Sequence, residues 1–111
     1  MDTDKKPLLG EHANLAGLIG YQTGSVVSRT LINTQAGTIT LFAFDRGQGL
    51  SEHTAPFDAF VYILEGSVDI TIAGSKQRLV QADAIIMPAG KPHALAAPEP
   101  FKMALIMIRS A

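Results

Sequence analysis

Val68, Ile70 and Ile72 alternate with Asp69, Thr71 and Ala73, and a period of two suits an extended strand with one buried face but not a helix. Ala73-Gly74-Ser75-Lys76 follows with turn chemistry and leads into Gln77 to Val80, so the segment reads as a hairpin. Runs rich in β-branched and aromatic residues recur at Val26 to Ile32 and Thr38 to Phe44, with Ala36-Gly37 between them as the turn. Ala59 to Leu64, Ala84 to Met87 and Phe101 to Ile108 read as further strands, the last entered from a Pro98-Glu99-Pro100 loop. Asn14 is placed to cap a short helical turn reaching Ile19, and Gly17 and Gly20 stop it from growing. Many short strands punctuated by Gly and Pro predict an all-β sandwich or barrel. Residues 1–13, polar and containing Pro7 and Gly10, are expected to form a mobile arm before one domain over residues 14–111.

Composition narrows the partners. Nine Lys and Arg against ten Asp and Glu give a net charge of -1, so the chain lacks the basic field that holds nucleic acid or an anionic membrane surface. An apolar fraction of 47% supplies a core. The absence of cysteine excludes disulfides, thiolate metal sites and a thiol nucleophile. The apolar runs fall well short of the roughly 18 residues of a spanning helix, and Met1 to Lys6 lack the apolar stretch of a secretory signal. The expected compartment is the cytoplasm.

Two segments carry more than periodicity. One runs from Gly47 through His53, Ala55 and Ala59 to Gly66; the other from Ala82 through Pro88, Gly90 and His93 to Ala97. They resemble the signature motifs of the cupin superfamily, G-x5-H-x-H-x3-4-E-x6-G and G-x5-P-x-G-x2-H-x3-N. Gly47, His53 and Gly66 match the first, and Pro88, Gly90 and His93 match the second. The resemblance spans about residues 37–108 and implies a small double-stranded β-helix, or jelly-roll barrel. It also implies that Ala59, Val61 and Ile63 point into the barrel, and that His53 and His93 meet within about 5 Å, the scale set by two imidazoles on one metal.

The departures from the pattern bear on chemistry. Ala55 stands where the family has a second His, Ala59 where it has Glu, Ala82 where it has Gly and Ala97 where it has Asn. His53 and His93 are the remaining metal candidates, and a divalent ion such as Fe, Mn, Ni or Zn is expected to bind weakly at most, because such ions normally take three protein donors. Asp58 is the nearest carboxylate, but its parity puts it on the opposite face. The candidate pocket comprises His53, His93, Ala55, Ala59, Val61, Met87 and Met103, with Met107 a further soft apolar side chain. Arg29 shares parity with Val27 and Leu31, and its direction, inward or outward, stays open. His12 is expected to be exposed, and Glu65-Gly66 and Gln81 to Asp83 read as turns.

No nucleophile elbow or phosphate loop is present, and no catalytic residue is assigned. Three functions stay open: a small-molecule-binding barrel with His53 and His93 as its polar groups, a metal-assisted dioxygenase, isomerase or lyase with a reduced site, and a structural dimerisation module. Phe60 to Leu64 and Met103 to Ile108 are apolar on both faces, which predicts a two-fold homodimer packed through these strands.

Overall fold

The computed structural model describes residues 8–109, so the first seven residues of the expected arm lie outside the described part. Within that part are nine strands: β1 (Val26–Asn33), β2 (Gly37–Phe44), β3 (Gly49–His53), β4 (Ala59–Glu65), β5 (Ser67–Ile72), β6 (Ser75–Val80), β7 (Ala84–Met87), β8 (His93–Ala96) and β9 (Phe101–Ile108). A single 3-10 turn, Leu15–Leu18, precedes them, capped by the Asn14 side chain, which accepts from the Gly17 amide at 3.2 Å. Strands β7 and β9 have the bounds their patterns predict. Strands β3 and β8 are additions to the sequence reading: polar residues hide the alternation of β3, and β8 is only the four residues His93–Ala96.

The strands form two antiparallel sheets, ordered β1-β2-β9-β4-β7 and β3-β8-β5-β6. Their facing sides share one core containing Phe44, Val61, Ile63, Val68, Ile70, Leu95, Phe101 and Met103. At one end Phe44 and Phe101, cross-strand partners, stack with ring centroids 4.5 Å apart. The alternation expected of β4 holds: Ala59, Val61 and Ile63 are buried inside, whereas Phe60 and Tyr62 are exposed. In β5 Ile70 is fully buried, but Ile72, expected to be buried too, is only half-buried because it lies at the open end of the strand, beside the hairpin turn.

The outer side of the five-stranded sheet has a smaller core of its own. Leu15, Leu18 and Ile19 lie over Leu41, Ala43 and Ala104, so the N-terminal segment covers part of a face that the sequence reading left for a partner. Arg29 belongs to this outer side, with Val27 and Leu31, and donates to the Leu18 carbonyl at 3.3 Å. Its orientation is therefore outward, towards the N-terminal segment rather than the barrel interior. A polar clasp holds the same segment: the Tyr21 hydroxyl donates to Glu65 at 2.6 Å and Lys102 donates to the Ala16 carbonyl at 2.7 Å. Glu65, read from sequence as part of a turn, is the last residue of β4 and a member of this clasp.

Candidate functional site

The two motif segments are stitched together at both ends by backbone hydrogen bonds. At one end Gly47 donates to Ala97 and Ala97 to Gln48, both at 2.9 Å. At the other, Gly90 donates to the Ala55 carbonyl at 2.8 Å, and the Ala89 amide donates to the Asp58 carboxylate at 2.8 Å. Asp58 thus fastens one loop to the other and is exposed. The turn opening at Pro88 is closed by Lys91 at 3.3 Å and delivers His93 as the first residue of β8.

A register shift turns His53 towards His93. Leu50 pairs with Leu95 and His53 with His93, so Ser51 and Glu52 stand opposite the single residue Ala94. Leu50 packs against the inner core, and strict alternation from it would send position 53 to the other face. The extra residue resets the parity, as a β-bulge does. His53 is the last residue of β3, directly after this bulge.

The two rings meet edge to face, with centroids 4.4 Å apart, and their Nε2 atoms are 3.2 Å apart. His53 Nδ1 lies 2.7 Å from the Ser51 carbonyl and His93 Nδ1 lies 3.3 Å from the Lys91 carbonyl. Carbonyl oxygens only accept, so each of the three contacts requires a ring N–H, and two neutral imidazoles have two between them. The pair is one proton short. Burial first, and then the neighbouring His53 ring, hold the His93 imidazole below its ordinary value of 6.5, against the opposing pull of the Lys91 carbonyl. Burial therefore opposes making up the shortfall by protonating His93.

The other predicted pocket residues are placed as follows. Ala59 and Met87 are cross-strand partners and buried, and Ala59 also pairs with Met107, which is half-buried. Val61 and Met103 are fully enclosed in the core, and Ala55 is half-buried. His12 is exposed. Thr38, which no sequence reading singled out, is buried on the inner face opposite Met107. Its shared parity with Phe42 and Phe44 was the signal available.

A model of the cupin domain matches residues 40–109. The chain belongs to the cupin family. Similar solved structures include a conserved protein of unknown function from Streptococcus pyogenes, 37% identical, with a TM-score of 0.88 and coverage of 92% of this chain and 90% of that one. Another is a cupin superfamily protein from Desulfitobacterium hafniense, 34% identical, with a TM-score of 0.87 and coverage of 91% and 93%. A curated relative, the tetracenomycin polyketide synthase protein TcmJ of Streptomyces glaucescens, is 25% identical over 75 residues, 67% of this chain; this cupin spans about half of that protein's length.

Many cupins hold a divalent metal, and the donors here can be tested against that role. A separation of 3.2 Å between Nε2 atoms is geometrically compatible with two imidazoles on one ion at about 2.1 Å. The donor count is not: Ala55 and Ala59 occupy the positions of the missing ligands, and no group of three His, Cys, Asp or Glu suited to a metal occurs among the described residues. The donor set does not fit a tightly held resident metal. No helix among the described residues is long and apolar enough to cross a membrane.

Proposed function

We propose that this cupin binds a small, largely apolar molecule bearing an acidic hydroxyl, a phenol or enol, at the mouth of its barrel. The observation that carries this reading is the missing proton between His53 and His93. A ligand O–H donating to an Nε2 atom gives that atom the donor it lacks, and it does so without placing a charge in a partly buried site. The inner face of the opposite sheet suits the rest of such a molecule: Ala59, Met87 and Met107 belong to the core side of that sheet, and their methyl groups and thioethers adapt to flat apolar shapes. The relationship to a polyketide synthase protein agrees with an oxygen-bearing, mainly carbon ligand, as inferred for this chain.

2-Naphthol is a suitable probe, and nitrogen-detected imidazole NMR is the readout. The expected result is that titration moves the Nε2 resonances of both histidines, and that His53→Ala weakens binding at least several-fold. Unchanged imidazole resonances at saturation, or equal binding by His53→Ala, overturn the reading. The 3.2 Å separation of the Nε2 atoms favours a second reading, a metal-assisted reaction with substrate completing the coordination. Stoichiometric metal in protein purified without chelator would establish it over the first.

A further inference from the structure

The inner face of the five-stranded sheet holds one polar atom that the fold leaves without a use. Thr38 is 9% exposed, and its hydroxyl is buried with no hydrogen-bond partner. Elsewhere on the same strand hydroxyls find company: Thr40 lies 3.4 Å from the Thr30 hydroxyl. A buried hydroxyl without a partner is a standing cost to the folded state, and a valine would fill the same space without it.

Register shows where this hydroxyl stands. Across the sheet Asn33, Thr38, Met107, Ala59 and Met87 are successive cross-strand partners. Thr38 therefore lies two strands from Ala59, on the order of 10 Å away at ordinary strand spacing. The methionine between them is half-buried and flexible, and Asn33 at the β1 edge is exposed, so the row is open at that end and soft in its middle. No Lys, Arg, Asp or Glu of this sheet points to its inner face among the described residues.

We infer that Thr38 is a ligand-contacting, specificity-determining residue, whose hydroxyl meets a second oxygen of an uncharged ligand at the edge remote from the histidine pair. This rests on the reading of His53 and His93 given above. It narrows the ligand class from a phenol or enol to one with two oxygens at opposite edges of a flat apolar body. A hydroxyl both donates and accepts, so Thr38 accommodates either a second hydroxyl or a carbonyl. An ionised group is disfavoured, because nothing on this wall would neutralise it.

The test compares 2,6-dihydroxynaphthalene, with oxygens at both ends, against 2-naphthol, which has one, in calorimetric titrations of the natural protein and of Thr38→Val. In the natural protein the two-oxygen probe is expected to bind about 5-fold tighter, the scale of one net hydrogen bond. In Thr38→Val that preference is expected to vanish, with the melting temperature of the free protein unchanged or raised. A preference that survives in Thr38→Val overturns the inference. So does a variant that melts lower and binds both probes equally more weakly, since the hydroxyl is then structural. Because the inference builds on the histidine reading, 2-naphthol binding that is insensitive to His53→Ala overturns both. Binding that depends on His53, with a preference indifferent to Thr38→Val, overturns this one alone.

Discussion

Two imidazoles with one proton too few make the site sensitive to acid. His93 has a folded-state pKa below its ordinary value of 6.5, mainly because it is buried, so the unfolded chain binds its proton more readily than the folded protein does. Its contribution is therefore complete above about pH 6.5 and is lost as pH falls from there through the lower folded value. Denaturation midpoints measured from pH 8 to pH 5 should fall across that window, and His93→Gln should flatten the dependence. The alanines permit the opposite intervention. Ala55→His with Ala59→Glu restores four donors and is expected to create tight divalent-metal binding, read by calorimetry; no gain in affinity would show that the pair is not directed at a common point. The meeting of His53 and His93 was legible through the resemblance to the cupin motifs and not from anything local, since β3 and β8 are far apart in the chain and adjacent only in the folded sheet. The proton deficit was not, because it depends on the Ser51 and Lys91 carbonyls, and backbone acceptors leave no trace in a sequence pattern.

Strands were legible where one face is apolar and the other polar, and illegible where function or an edge position breaks the alternation. The β5–β6 hairpin shows the first case. Ile70 is fully buried whereas Thr71 is half-buried, so Ile70→Ala is expected to cost about 2–5 kcal/mol in a urea titration and Thr71→Ala about 1 kcal/mol or less; similar costs would contradict the register. β3 shows the second case, since its bulge at Ser51 and Glu52 destroys the period of two by which a strand is recognised. Gly66, which closes the first motif, joins β4 to β5 for a reason specific to packing. Its φ is +78°, and a Cβ there would overlap the Pro100 carbonyl oxygen and lie 2.9 Å from the Phe101 Cβ. Gly66→Ala combines left-handed strain with a clash against backbone, so it is expected to cost about 3 kcal/mol or more. Thermal melts of purified variants check this, and a melting temperature within a degree of the natural protein would show that the β4–β5 junction yields freely.

At the scale of the whole molecule the unspent feature is the outer face of the five-stranded sheet. The N-terminal turn covers Leu41, Ala43 and Ala104 but leaves a neighbouring apolar row running across every strand: Ile32, Ile39, Ile106, Phe60 and Ile86 are successive cross-strand partners. Ile32, Phe60 and Ile86 are 50%, 38% and 56% exposed, and Ile108 beside them is 65% exposed. Phe60, Ile86 and Ile106 of the row line a groove of about 480 Å³, closed at one side by Pro56, Phe57, Asp58 and Ala89. Five strands at about 4.8 Å spacing make the row roughly 19 Å wide. The row contains no charged residue, so two copies related by a two-fold axis can lay it against itself without like-charge repulsion. We propose a second copy of this chain as its cover. Sedimentation at micromolar concentration is expected to show a dimer, and Phe60→Lys, which places an ammonium group of each copy in the apolar contact, is expected to give a folded monomer. A natural protein that sediments as a monomer refutes this arrangement. A Phe60→Lys variant that stays dimeric moves the interface elsewhere, because a self-contact through this row would bury the introduced lysine.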